Sequence, residues 1–295
     1  MDISVIIPTR NRPVQLAACL TALAAQTFPR DRFEVILVDD GSDTSMEGVV
    51  ARTGGSLQVR LIRQANSGPA RARNAGAALA SGALLAFTDD DCEPEVDWLS
   101  VLCAQSKACP TCLIGGQTIN ALPHNVYATA SQLLVDYLYE YQMSASPISP
   151  RALPAFFTAN NVAVPAALFH RLGGFDETFP LAGGEDREFC DRWEQAGFPM
   201  RMAPSARVQH AHSLSFTGFW RQHLNYGRGA WQLRRARLQR GKPRLQIAPL
   251  AFYLRLVTYP LRVVSAAKTA RLIALMGLSQ VANAAGFFSE RWRDR

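Results

Sequence analysis

Short apolar runs alternate along the first 120 residues with stretches whose apolar positions recur at helical spacing. The runs have strand length and are rich in β-branched residues, which favours buried strands. Pro13 opens one intervening helix, and Pro69 opens another that ends at Gly82. The pattern predicts strands over residues 3–7, 33–38, 59–62, 84–87 and 113–119, and a helix over residues 98–104.

Strand and helix in turn predict an α/β fold with a mainly parallel sheet covered by helices on both faces. In such sheets, ligands bind beyond the carboxyl ends of the strands. The chemistry is therefore expected where the strands end.

The rest of the chain carries two more predicted strands and a series of helices. The strands cover residues 157–164 and 207–210. Apolar spacing predicts helices over residues 128–142, 166–172, 185–195, 216–238, 246–265 and 270–288, with a Pro/Ser-rich loop at residues 144–154. Residues 272–288 are uncharged but include polar residues and two glycines, which is marginal for a membrane span. An in-plane membrane helix or a helix packed on the body is expected instead.

Three of the predicted strands end in polar residues suited to ligand binding. The clusters are Pro8, Thr9, Arg10 and Asn11 after the first strand, Asp39 and Asp40 after the second, and Asp89, Asp90 and Asp91 after the strand at residues 84–87. Because carboxyl ends of parallel strands lie at one edge, the three clusters are predicted to converge.

Asp89, Asp90 and Asp91 form the strongest candidate metal site. Adjacent carboxylates repel one another beside a buried strand, and a hard divalent cation relieves that cost. Mg²⁺ takes one or two carboxylates together with phosphate oxygens, and Mn²⁺ suits the same ligands. In an extended turn Asp89 and Asp91 share a face. A solvated acidic turn or a helix N-cap explains the same residues without metal.

Asp39 and a pair of arginines are candidate nucleotide ligands. Asp39 can accept a hydrogen bond from a base N–H or a ribose hydroxyl, although Asp-Gly-Ser is also ordinary turn chemistry. Arg71 and Arg73 begin a helix, where cations oppose the helix dipole. An anionic group such as diphosphate between them explains this mismatch, and surface arginines are the alternative.

Two later segments supply a candidate base and a further ligand. Glu185 and Asp186 open an amphipathic helix, where one carboxylate could deprotonate an acceptor hydroxyl. Acids in a first turn are also stabilising by themselves. His210 follows a predicted strand and could complete a metal site or contact diphosphate, or be structural. Cys109 and Cys112 lack a second pair, and we interpret them as structural.

Charge is distributed unevenly along the chain, whose net charge is +7. Residues 221–295 hold 15 Lys or Arg against 2 acids, whereas residues 1–220 hold 16 basic and 22 acidic residues. The basic segment suggests contact with anionic lipid or another polyanion, or a solvated basic helix. The N-terminus has no basic n-region or cleavage site, and six scattered cysteines suit a reducing compartment. The expected location is cytoplasmic, peripheral on the cytoplasmic face of the membrane.

In this order, the motifs resemble glycosyltransferase family 2, which has the GT-A fold. The resemblance covers about residues 2–230 and rests on the strand-end clusters, Ala72-Arg73-Asn74-Ala75-Gly76, Gly174-Phe175-Asp176-Glu177, Gly184-Glu185-Asp186 and residues 221–229. It implies a transferase domain over residues 1–230 and a basic helical region over residues 231–295. The Gln-x-x-Arg-Trp motif of processive members is absent at Arg192-Trp193, which predicts transfer of a single sugar.

The resemblance also implies roles for individual residues. Asp89 and Asp91 match the family's Asp-x-Asp motif, which holds ribose and a Mg²⁺ or Mn²⁺ ion on the diphosphate, with His210 as an additional metal or phosphate ligand. Asp186 matches the catalytic base of an inverting displacement, with Glu185 beside it. The expected donor-binding residues are Pro8, Thr9, Arg10, Asn11, Asp39, Asp40, Arg73, Asp89, Asp90, Asn160 and Asn161.

The resemblance implies a nucleotide-diphosphate sugar donor, most commonly UDP-linked, and a saccharide, lipid-linked or other hydroxyl acceptor. Synthesis of cell-surface polysaccharide, glycolipid or glycoconjugate would use such a reaction, and no nucleic-acid partner is expected. Two alternatives stay open. One is a nucleotidyltransferase, whose Gly-rich loop is absent after Ile7. The other is a catalytically degenerate nucleotide-sugar or lipid-binding scaffold.

Overall fold

The computed structural model describes the chain except residues 54, 56, 144–154, 180–182, 243–247 and 295. The predicted loop at residues 144–154 and the start of the helix predicted at residue 246 lie outside the described residues. The chain divides into two compact units, Met1–Ala121 with Phe156–Ala211 and Leu122–Ala155 with His212–Arg295.

The first unit is built on an eight-stranded sheet of order β3-β2-β1-β4-β7-β6-β8-β5. Its strands are β1 (Ile3–Thr9), β2 (Phe33–Asp39), β3 (Val59–Arg63), β4 (Leu84–Thr88), β5 (Cys92–Pro94), β6 (Leu113–Asn120), β7 (Asn161–Pro165) and β8 (Met200–His210). Its helices are α1 (Pro13–Ala24), α2 (Glu47–Thr53), α3 (Pro69–Ala78), α4 (Trp98–Ala108), α6 (Ala166–Arg171) and α7 (Glu185–Gln195).

The sheet is parallel over β1–β4 and mixed beyond them. β1 pairs in parallel with β2 and β4, and β2 with β3. β7 runs antiparallel between β4 and β6, and β5 runs antiparallel to β8. The side chains of β1 and β4 are almost all buried, as expected for strands covered on both faces.

Several predicted elements differ from those in the structure. The strand predicted at residues 157–164 is shorter, since β7 begins at Asn161. The helix predicted at residues 246–265 is divided, because Pro249 precedes α9 (Leu250–Thr258) and Pro260 begins α10 (Pro260–Val263). The short elements α2 and β5 were not predicted. Cys109 and Cys112, interpreted as structural, form a disulfide between α4 and β6.

The second unit contains α5 (Val126–Met143), α8 (Phe216–Gln239), α9, α10 and α11 (Ala266–Arg293). Helices α8 and α11 cross closely at two glycines. A Cβ atom on Gly227 would lie 1.9 Å from the Asn283 carbonyl oxygen, and one on Gly286 would lie 1.9 Å from that of Leu224. The two backbones therefore approach as closely as they do because neither residue has a side chain.

Helix α11 is also held to α8 near its C-terminal end. Gln232 donates to Glu290 at 3.0 Å, and Arg235 and Trp231 both donate to Asp294. Among the described residues, one helix, Ala267–Arg293, is long and apolar enough to cross a membrane by length and composition, and only 33% of its apolar window is buried.

We expect Gly227→Ala to destabilise the protein, since the added methyl group cannot fit against the backbone of α11. Overpacking of this kind costs about 1–3 kcal/mol in the free energy of unfolding. Gly277→Ala is the matched control, because nothing lies within 4 Å of its added Cβ. It should be neutral or stabilising by up to about 1 kcal/mol. Urea unfolding measures both, and equal effects of the two changes would contradict this close crossing.

Candidate active site

The three polar clusters meet at the carboxyl edge of β1, β2 and β4, as the sequence predicts. The hydroxyl of Thr9 donates to Asp90 at 2.8 Å, and the backbone N–H of Asp40 donates to the Thr9 carbonyl at 2.9 Å. Thr9, Asp39, Asp40, Asp90 and Asp91 are all buried. A buried carboxylate needs a compensating charge or hydrogen bond, so the partners of each carboxylate define what the site can do.

The short strand β5 brings His210 to the aspartate cluster. Cys92 is paired with His210 in the β5–β8 ladder, and the Asp91 carbonyl accepts a hydrogen bond from Ala211 N–H at 2.8 Å. The His210 Nε2 atom consequently lies 3.3 Å from Asp91 Oδ1. Burial works against a charged imidazole, but the hydrogen bond to Asp91 and the nearby carboxylates outweigh it and raise the pKa of His210. A carboxylate and an imidazole at this spacing can share one divalent ion.

Arg12 was not predicted as a site residue, yet it neutralises two of the carboxylates. Its Nη1 atom lies 3.1 Å from Asp90 Oδ1 and 2.9 Å from Asp91 Oδ2. Burial raises the pKa of Asp90 to about 6, with Arg12 opposing and Asp91 adding to the shift. Arg12 directly precedes Pro13, the first residue of α1, and its side chain is 44% exposed. Its guanidinium therefore supplies one positive charge that Asp90 and Asp91 share.

Arg73 connects the aspartate cluster to the start of α7. Arg73 is 4% exposed, and its guanidinium donates to Asp89 at 2.6 Å and to Glu185 at 3.1 Å. These carboxylates raise the pKa of Arg73 against the effect of its burial. With both outer nitrogens engaged, Arg73 fixes the distance between the two acidic segments.

Glu185 and Asp186 have different surroundings although they are adjacent. Glu185 is buried and accepts from Gly183 and Gly184 N–H at 2.9 and 3.0 Å in addition to Arg73. Asp186 is half-buried and accepts from the N–H of Arg187 at 2.8 Å. Burial and the charge of Glu185 raise the pKa of Asp186 to about 6. Asp186 is thus the carboxylate better suited to exchange a proton, while Glu185 holds the loop.

The two aspartates at the end of β2, Asp39 and Asp40, have different hydrogen-bond partners. Asp40 accepts from Gln64 at 2.8 Å and from the N–H groups of Ser67 and Gly68 at 2.9 Å, so it fixes the turn that leads into α3. Asp39 accepts from Ser42 N–H through Oδ1. Within the described part of the chain, no hydrogen-bond donor reaches its buried Oδ2, and Arg63 lies 3.7 Å away. That oxygen can still accept a hydrogen bond.

Asn160 and Asn161 lie inside the unit. The Asn161 side chain accepts from Trp98 Nε1 at 2.9 Å and donates to the carbonyls of Gln117 and Ala206. Its amide already makes three hydrogen bonds within the sheet, and its ligand role stays a prediction. Asn160 Oδ1 accepts from the Thr158 hydroxyl at 2.7 Å.

The remaining predicted residues lie at the end of β1. Pro8 is half-buried, whereas Arg10 and Asn11 are exposed. Asn11 has a positive φ of 54°, and its amide exchanges hydrogen bonds with Asp43. A non-glycine residue in this region is uncommon and indicates a locally constrained turn.

The family model of glycosyl transferase family 2 matches residues 4–158 of the chain. The model of glycosyl transferase family group 2 matches residues 116–288. It is 30% identical over 248 residues to glycosyltransferase AglE of Haloferax volcanii, covering 81% of this chain and 77% of that one. The chain belongs to glycosyltransferase family 2. Another relative, the validoxylamine A glucosyltransferase of Streptomyces hygroscopicus subsp. jinggangensis, is 34% identical over 244 residues, covering 72% of this chain. This chain spans only 58% of that relative's length.

The fold agrees with this family membership. A mannosyltransferase from Pyrobaculum calidifontis, solved in complex with GDP-Man and Mn²⁺, superposes with a TM-score of 0.66 at 20% identity. The match covers 99% of this chain and 88% of that one. The predicted GT-A fold is thereby confirmed.

We expect Arg73→Met to destabilise the protein strongly, because it leaves Asp89 and Glu185 without their shared counter-charge. Removing one partner of a buried ion pair costs about 3–5 kcal/mol. Arg71→Met, on the same helix, is the control, since its side chain is 62% exposed and lies 3.7 Å from Glu177. It should cost no more than about 1 kcal/mol. Chemical denaturation distinguishes the two, and comparable losses would argue against Arg73 as the link.

Proposed function

We propose that this protein is an inverting, metal-dependent glycosyltransferase that moves one sugar from a nucleotide diphosphate to an acceptor hydroxyl. The observation that carries the proposal is the convergence of Asp89, Asp91, His210, Arg73 and Asp186 within one unit. Family membership supports the same reaction class.

In this proposal the nucleotide lies beyond β1 and β2. The Asp39 Oδ2 atom, which no donor reaches among the described residues, accepts a hydrogen bond from the base. Thr9 and Asp40 shape the floor of this site, and exposed Arg10 and Asn11 line its entrance. Asn160 is assigned to the donor sugar or acceptor, as the family pattern implies.

The donor set at Asp91 and His210 fits a divalent cation. A carboxylate oxygen and an imidazole nitrogen lie 3.3 Å apart, and Asp89 and Asp91 carry the Asp-x-Asp pattern. Mg²⁺ or Mn²⁺ there would stabilise the charge that develops on the departing diphosphate. Such an ion would take over the carboxylates that Arg12 now neutralises.

Asp186 acts in this proposal as the general base. It accepts the proton of the acceptor hydroxyl as the oxygen attacks the anomeric carbon, and the bond from that carbon to the diphosphate oxygen breaks. The nucleoside diphosphate leaves with the electron pair. Glu185, held by three hydrogen bonds, positions Asp186 and does not exchange the proton.

The donor nucleotide is proposed to be UDP, with GDP as the alternative that the Pyrobaculum complex supports. A single transfer fits the absence of the Gln-x-x-Arg-Trp motif. The acceptor is proposed to be a saccharide or lipid-linked hydroxyl used in cell-surface polysaccharide, glycolipid or glycoconjugate synthesis on the cytoplasmic side. Residues 1–230 are proposed to form the transferase domain, although α8 continues through that boundary.

We expect one nucleoside diphosphate to raise the melting temperature only when Mn²⁺ is present, because binding to the native state stabilises it. UDP, GDP, dTDP and CMP, each with and without Mn²⁺, are compared by thermal shift. Asp91→Ala should abolish the Mn²⁺-dependent increase. Glu93→Gln, an exposed carboxylate two residues away, should preserve it.

The same assay tests the competition between Arg12 and the metal. Arg12→Met should lower the melting temperature without metal and enlarge the increase produced by Mn²⁺. If no nucleotide shifts the transition in the presence of metal, the donor site is refuted, and a lipid-binding scaffold centred on the basic C-terminal region becomes the better explanation. Release of free nucleotide from a sugar donor separates transferase from scaffold.

We expect kcat/KM to fall as the pH drops below about 6, because Asp186 has a raised pKa of about 6 and must be ionised to accept a proton. Asp186→Asn should reduce kcat by about 10²–10⁴-fold with little change in the KM of the donor. Glu194→Gln, an exposed acid on the same helix, should leave both unchanged. If the residual kcat/KM of Asp186→Asn still falls below about pH 6, another group is responsible for that pH dependence.

A further inference from the structure

Helices α9 and α10 expose large apolar side chains although the opposite face of α9 is already packed. Phe252 and Leu256 are buried, and the Phe252 ring centroid lies 5.3 Å from that of Tyr137 and 4.8 Å from that of Tyr141. On the outward side, four apolar side chains are at least half exposed: Leu250 at 72%, Leu254 at 58%, Leu261 at 63% and Val263 at 50%. We call these four residues the α9–α10 face. Folding of the second unit does not account for them.

Basic residues accompany the α9–α10 face. Arg255 and Arg262 lie among its apolar residues, and Lys268 and Arg271 follow on the exposed first turns of α11. The sequence has no Asp or Glu from residue 195 to residue 289. Two carboxylates of α5 face this segment: Glu140 lies 3.1 Å from Arg262, and burial together with Glu140 and Asp136 raises the pKa of Tyr259. The surface is therefore both apolar and positively charged.

This combination selects among possible partners. A second copy of the chain would bring like charges together, which opposes association through this face. A soluble polyanion would leave the four apolar side chains in water. The interface of an anionic bilayer satisfies both requirements, because apolar side chains enter the acyl boundary while basic ones meet the phosphate groups.

Helix α11 is a less suitable membrane element, although its length would allow it to span. Its close approach to α8 at Gly227 and Gly286 and the contacts of Glu290 and Asp294 with α8 would all be lost in a spanning arrangement. Acyl chains offer no hydrogen-bond donors to replace those that Glu290 and Asp294 now have on α8.

We propose that the α9–α10 face binds in the plane of an anionic membrane, with Leu254 and Leu261 inserted and Arg255 at the headgroups. The proposal does not depend on the donor site. It places the membrane contact in four residues of two short helices.

The test is co-sedimentation of the full chain with vesicles of phosphatidylcholine alone or mixed with phosphatidylglycerol. The protein should bind the anionic vesicles, and binding should weaken as salt is raised. Leu254→Glu and Leu261→Glu should each reduce the partition coefficient on the order of tenfold. Arg255→Gln should reduce it about fivefold on anionic vesicles. Val96→Glu, a residue 55% exposed in the first unit, is the matched control and should have no effect.

Val281→Glu tests α11, because Val281 is 58% exposed on that helix. Loss of binding in Val281→Glu with full binding in Leu254→Glu would overturn the proposal in favour of α11. Equal binding to neutral and anionic vesicles would overturn its electrostatic part. Light scattering without vesicles measures the oligomeric state. A dimer that Leu254→Glu dissociates would overturn the proposal by showing that a second copy of the chain covers this face. All substituted side chains are exposed, and circular dichroism confirms that each variant folds.

Discussion

The ion pairs of Arg73 are the interaction on which the rest of the site depends. A guanidinium that is almost wholly buried requires negative partners, and the chain supplies them from two distant segments, Asp89 after β4 and Glu185 at the start of α7. The next residue of α3, Asn74, exchanges two hydrogen bonds with the backbone of Phe175. Helix α3 therefore sets the positions of the acidic loop and of the segment that leads to α7. Asp40, the residue after β2, in turn fixes the start of α3 through the N–H groups of Ser67 and Gly68.

The three aspartates after β4 repel one another, and their partners in the fold reduce that repulsion. Three successive carboxylates would repel one another strongly if each were left without a cation. The fold gives all three a cationic or imidazole partner: Arg73 pairs with Asp89, Arg12 is shared by Asp90 and Asp91, and His210 also contacts Asp91. Arg73 is buried, whereas the Arg12 side chain is 44% exposed. In the proposed function, Arg12 is the cation that a bound metal ion would displace.

Local pattern was sufficient to predict the parallel half of the sheet and the convergence of its strand-end clusters. Buried strands and their polar ends are encoded within a few residues, and the rule for parallel sheets then places those ends together. Arg12 was missed because its partners are nearly eighty residues away and no local signal marks the contact. The three-residue strand β5 is too short to show periodicity, yet it brings His210 to Asp91. The helix predicted at residues 246–265 was wrong in extent because apolar content was given more weight than Pro249 and Pro260.

Asn161, a predicted donor-binding residue, lies at an irregularity of the sheet. The β6–β8 register shifts between Gly116 and Gln117, and the Asn161 amide donates to the Gln117 and Ala206 carbonyls beside that shift. A Cβ on Gly116 would lie 2.4 Å from the same amide. The Asn161 side chain thereby links β6 and β8 at the point where their register shifts. Relatives that lengthen or shorten β8 near residue 206 would have to replace this asparagine and this glycine together, so the two positions should vary as a pair during divergence of the fold.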